Sequence, residues 1–169
     1  MAAAPDPSTQ WSEAITGGAD YPLYVATTCD GIEMSGCLVG FVTQSSIEPV
    51  RFVICVSKVN HTFAVARRSQ GLALHLLGSN QKPLASLFGE TSGDVVDKFA
   101  GLDWSTAVTG APVLADCAAW IDGSVLEHRD AGDHEAFLVA VVAGGPGSHD
   151  GCLMLSGALD FDAGHGAGS

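Results

Sequence analysis

The sequence predicts a mainly β fold, an antiparallel barrel carrying short helices, on three observations. Runs rich in β-branched and aromatic residues recur along the chain between Gly-, Asp- and Pro-bearing turns. Helical patterning is confined to short pieces set between strand pairs. Most connections are shorter than the dozen or so residues that a parallel crossover needs, which disfavours a doubly wound sheet.

Taken in order, residues 1 to about 20 are Ala-, Pro- and Gly-rich without periodicity and read as a flexible arm, as do residues 163–169. The span between them, 21–162, is expected to be one domain. LYVATTC (23–29) and SGCLVGFV (35–42) form a hairpin about the Asp30-Gly31 turn. A polar turn, TQSSIEP, leads to RFVICVS, a short apolar run typical of a strand covered on both faces. Asn60 caps a short helix, HTFAVARRS. LALHLLG is a further strand. Two helical pieces follow, NQKPLASLFGE and DVVDKFAGL, the second capped by Ser92. From Pro112 the pattern returns to strands: PVLADCAAWIDGSVLEHRD, HEAFLVAVVAG and CLMLSGALDF.

Composition narrows the function. With 169 residues, 47% of them apolar, the chain can bury one real core. No apolar run approaches the roughly 18 residues needed to span a bilayer, and MAAAPDPSTQ has neither the basic nor the apolar part of a secretory leader. A cytoplasmic protein without a membrane partner is expected. The five cysteines form no CxxC pair and mostly sit in apolar runs, so they read as small hydrophobes. A formal net charge of -12 argues against nucleic acid, whose phosphates need a basic stripe. Against that background Arg51, Lys58, Arg67 and Arg68, four of only seven basic residues, suggest a local anionic ligand.

Five stretches, in this order, resemble the flavin reductase-like, FMN-binding split-barrel family. TTCDG followed by SGCLVGFVTQSSIEP is similar to its G-M-T-A-N-S-x-x-S-V-S-x-D-P-P segment, and CVSKVNHT to its S-x-x-S-x-T turn. LALHLLGSNQKPLASLFG, DKFAGLDW and AGDHEAFLVAVV are similar to its F-x-V-N-V-L with L-A-x-x-F, its K-F-x-G-x-x-W and its G-D-H-x-I-x-x-G-x-V. The resemblance implies a homodimeric split β-barrel binding FMN, or FAD, and reduced by NADH or NADPH. It further implies small-molecule flavin and nicotinamide as ligands, and a flavin-dependent monooxygenase as a partner for reduced flavin. A deazaflavin enzyme of the same fold and a flavin-binding module without turnover are the alternatives.

Carried over position by position, the resemblance places Gly36, Cys37, Leu38, Val39, Gly40 and Phe41 along the flavin ring and ribityl chain, with Thr43, Gln44, Ser45 and Ser46 in the turn beyond. An ordinary strand and loop is the plain alternative. Leu38, Gly40 and Phe41 replace the family's polar side chains, and Val50 its second proline, so backbone groups must carry more of the recognition. Cys55, Val56, Ser57, Lys58, His61 and Thr62 lie where a strand runs into a helix, a place where amides, hydroxyls and a cation can meet a phosphate. Arg67 and Arg68 suit the end of that helix equally well. Gly132-Asp133-His134 matches the G-D-H motif, so His134 is the candidate for the nicotinamide side, as a positioning or hydrogen-bonding group; a hairpin turn with an exposed histidine is the alternative. Lys98 and Phe99 are candidates from the crossover segment. As plain structure, Phe99 would be core and Lys98 a solvated helix residue paired with Asp94.

Other patterns carry no chemistry. GGPGSHDG follows a strand without opening a helix, and GSNQKP lacks the GK[ST] ending of a phosphate loop. There is no GxSxG elbow and no HExxH or comparable metal spacing, so no metal site is expected.

Overall fold

The computed structural model describes residues 6–162. The first element is a helix, α1 (Pro7–Thr16), where the sequence suggested a patternless arm. Asp6 accepts a hydrogen bond from the Ser8 amide and Pro7 supplies a preset φ in the first turn, so local capping alone specifies it. None of its side chains is buried.

The remainder is a seven-stranded antiparallel sheet with short helices laid against it. In chain order come β1 (Tyr24–Cys29), β2 (Met34–Val39), β3 (Val42–Ser46), β4 (Arg51–Ser57), α2 (His61–Ala66), β5 (Gly71–Leu76), α3 (Lys82–Gly89), β6 (Trp104–Thr106), β7 (Pro112–Leu114), β8 (Ala119–Asp130) and β9 (His134–Pro146). The spatial order is β2-β1-β5-β8-β9-β4-β3, and β6-β7 form a separate pair. Every pairing is antiparallel, and the short connections require this of β1-β2, β3-β4, β6-β7 and β8-β9.

One consequence of that order positions the site. β2 and β3 are opposite edges of the sheet, yet only Gly40 and Phe41 separate them in the chain. Seven strands laid flat would put those edges roughly 29 Å apart. From Val39 to Val42 the backbone reaches at most about 11 Å. The sheet must therefore curl until its edges meet at Gly40-Phe41. The apolar faces turned inward by this curl form the main core, which includes Ala26, Cys37, Ile54, Val56, Leu72, Phe137 and Val139. A second cluster, around Leu23, Leu77, Phe88, Phe99 and Leu153, joins α3 to the outside of β1 and β2.

Three expected elements differ. Thr43, Gln44, Ser45 and Ser46, read as a turn, belong to β3 and pair with β4 through a bulge between Gln44 and Ser46. Their side chains are mostly exposed, so only the pairing, and no hydrophobic alternation, marks them as strand. Ser92 accepts the Asp94 amide, but residues 91–101 make successive turns rather than a helix. CLMLSGALDF is a 3-10 turn (Leu155–Gly157) with flanking turns, held at the ends of β1 and β5 by the Pro22–Met154 bridge and by Leu153, whose carbonyl accepts the Leu23 amide and whose amide donates to the Leu77 carbonyl. Among the described residues no helix is long and apolar enough to cross a membrane. All five cysteines are free thiols, Cys37 and Cys117 buried.

Candidate functional site

The corner where the sheet edges meet holds a hollow of about 470 Å³. Its walls come from the end of β2 (Leu38, Val39) with Gly40 and Phe41, from β4 (Cys55, Ser57), from the turn into α2 (Val59, Asn60) and from Asp133 and His134 at the start of β9. Strand alternation explains the selection on β4: Cys55 and Ser57 face the hollow while Val56 lies in the core, fully buried. Register explains the other side, because Ser57 is the partner of His134.

The backbone at the corner is fixed by local hydrogen bonds. The Cys55 amide donates to the Phe41 carbonyl at 2.9 Å, and the Val42 amide to Gly40 at 3.0 Å. Phe41 is thereby presented with its ring half open, centroid 6.1 Å from Tyr21 and 5.2 Å from His134. Gly40 is required here: a Cβ would come within 2.5 Å of the Tyr21 ring. His134 Nδ1 lies 2.8 Å from Asp133 Oδ1, which leaves Nε2 as the nitrogen for a ligand. The same contact holds the Asp133 carboxyl below its usual range. Burial raises the Cys55 thiol, which keeps it protonated and apolar at neutral pH.

The last wall was not among the residues expected from the sequence. Tyr21, Gly89, Leu155, Ala158, Phe161 and Asp162 all line the hollow. The segment carrying the last four is anchored by Leu155 N–H to the Tyr21 carbonyl, by Ser156 to Asp20, by Lys82 to Asp160 at 2.8 Å and by the Asp162 amide to Glu90. A legible signal existed: Leu155, Ala158 and Phe161 recur every third residue, a turn spacing rather than a strand spacing.

Several sequence candidates lie elsewhere. Thr43, Gln44 and Ser45 are exposed on β3 and Ser46 is near them, and Cys37 and Val56 are core. The phosphate cradle drawn from Ser57, Lys58, His61 and Thr62 is not assembled. Lys58 Nζ is 2.7 Å from Asp130, His61 bridges Glu33 (2.5 Å) and Asp94 (2.6 Å), and the buried Thr62 hydroxyl meets Ser35 at 2.9 Å. Successive helical positions turn by about 100°, so neighbours at the start of α2 face different surfaces. Of this group Ser57 alone lines the hollow, next to Asn60, whose side chain caps the Thr62 amide. Gly36, Lys98 and Phe99 line a separate hollow of about 270 Å³. Lys98 is neither solvated nor paired with Asp94: it is 4% exposed and donates to the Gly36 and Phe88 carbonyls at 3.2 Å.

The profile of the flavin reductase like domain family matches residues 16–158. The chain belongs to that family. Among flavin reductase-like relatives, the NADH-dependent FMN reductase RutF of Bradyrhizobium diazoefficiens is 28% identical over 120 residues, 70% of this chain and 66% of that protein. HsaB of Rhodococcus jostii, the reductase subunit of a flavin-dependent monooxygenase, is 34% identical over 114 residues, 65% of this chain and 55% of its own. The chain thus spans between half and two thirds of the length of these relatives. The fold is also that of the NADH:FAD oxidoreductase SgcE6 of Streptomyces globisporus, with a TM-score of 0.74 at 24% identity over 86% of each chain.

Proposed function

We propose that the chain is an NAD(P)H-dependent flavin reductase that reduces FMN and supplies reduced flavin to a partner monooxygenase. The observation that carries the reading is the convergence of Leu38, Gly40, Phe41, Ser57 and His134 on one hollow at the sheet's closing corner. The residues fit a flavin. A volume of about 470 Å³ is in the usual range for small-molecule sites. Its apolar and aromatic lining suits flat ring faces, and the missing Cβ at Gly40 and Gly89 makes room for the Tyr21 ring and Leu38 in its walls. Bound flavin would supply the hydride chemistry, taking electrons from a nicotinamide and passing them on. The chain's own residues bind and orient. Leu38 and Phe41 would flank the ring, Ser57 would face the ribityl and phosphate end, and His134 Nε2 would hydrogen-bond the second ligand. The monooxygenase role rests on the relatives' descriptions as reductase components. The split-barrel description belongs to the same reading, supported by the curled sheet, as do the homodimer that the family resemblance implies and the cytoplasmic location expected from the sequence.

Purified protein should bind added FMN with quenching of flavin fluorescence and should consume NADH or NADPH faster when FMN is present. A protein that neither binds FMN nor oxidises nicotinamide would overturn the assignment, and one that binds FMN without turnover would leave a flavin-binding module.

A further inference from the structure

Lys98 is a buried ammonium in a protein rich in carboxylates, yet among the described residues no carboxylate lies within ion-pair distance of it. Its charge is met instead by two backbone carbonyls, Gly36 on β2 and Phe88 near the end of α3, with the Phe88 ring 5.7 Å from Nζ. Those carbonyls belong to the two sides of one seam. Along it the backbones approach so closely that a Cβ on Gly36 would come within 2.8 Å of the Phe88 ring, and one on Gly89 within 2.8 Å of Leu38 Cδ2. The far end of the same seam, Leu38 with Gly89, is a wall of the 470 Å³ hollow. Burial lowers the Lys98 pKa and the adjoining Cys37 thiol opposes that shift.

We propose that Lys98 is a positioning residue: its ammonium clamps β2 to α3 from behind and so fixes the Leu38–Gly89 wall against which the flavin binds. Resting as it does on the flavin reading, the proposal assigns Lys98 no contact with the ligand. Losing the clamp leaves two buried carbonyls unpaired and lets the wall part.

The test compares Lys98→Met with Val113→Ala, a core substitution in the separate cluster of Ala73, Ala111 and Val113, matched for loss of stability. In titrations with FMN, Lys98→Met should bind roughly tenfold more weakly and shift the visible band of the bound flavin. Val113→Ala should do neither. Amide exchange without ligand should speed up at Gly36 to Leu38 in Lys98→Met alone. Gly89→Ala, which wedges the seam from its other end, should weaken FMN similarly and serves if Lys98→Met does not fold. Wild-type affinity, band position and exchange in Lys98→Met, or wild-type affinity in Gly89→Ala, would overturn the proposal. If the native protein binds no FMN, the flavin reading fails, while the exchange comparison still decides whether the clamp exists.

Discussion

His75 shows at the scale of one residue what this fold does to a titrating side chain. It is fully buried on β5, its Nδ1 placed to donate to the Val25 carbonyl at 3.0 Å while Nε2 accepts the Leu114 amide at 3.0 Å. Both nitrogens are used only by the neutral ring. Burial pushes its pKa down to about 4, the bond to Val25 and the charge of Asp122 opposing. The unfolded chain binds this proton near pH 6.5 and the folded one only near 4. Stability should therefore be complete above about pH 6.5, fall by roughly 3 kcal/mol as pH drops towards 4, and then level off in this component. Urea unfolding across that window checks it, and His75→Gln should flatten the slope. For His134 the expected signature is kinetic. His134→Ala should lower nicotinamide turnover about tenfold or more with FMN affinity nearly unchanged; loss of FMN binding would make the residue structural. His134 was singled out by the resemblance of Gly132-Asp133-His134 to the family motif and does line the hollow, whereas nothing in the sequence distinguishes His75 from an exposed strand histidine.

At the scale of elements, legibility followed the source of each element's specification. β1, β4, β5, β8 and β9 announce themselves because their alternation or apolar runs reflect burial on the sheet's inner face. β3 does not, since its edge pairing with β4 is made by backbone and leaves its side chains in water. β6 spans three exposed residues and offers no pattern at all. α2 was readable from its cap, and the cap makes a prediction. Asn60→Ala removes the acceptor of the Thr62 amide and should cost about 1 kcal/mol of stability in chemical denaturation. Because Asn60 also lines the hollow, FMN affinity should fall in the same variant; Asn60→Asp should restore the stability but not the affinity, since it adds a negative charge beside the phosphate end.

At the scale of the molecule, the formal charge of -12 sets the field in which any phosphate must bind. Asp133 and Asp162 line the hollow itself, while the nearby cation Lys58 is held by Asp130. FMN affinity should therefore rise as salt is added, while riboflavin affinity stays level. Fluorescence titration of both ligands at low and physiological ionic strength decides this. A fall in FMN affinity with salt would mean that Lys58 leaves Asp130 for the ligand. The family and half of the site were legible because β2, β4 and the Asp133-His134 turn carry it in local motifs. The other half was not, because Tyr21 and Phe161 meet only when the chain closes on itself. That closure has a consequence for synthesis. A hollow walled by residue 21 and by residue 162 cannot exist on a nascent chain until residue 162 has left the ribosome. Ligand can then report that this last wall has formed but cannot guide the early strands, and a fusion placed directly after residue 162 starts at the doorway of the site.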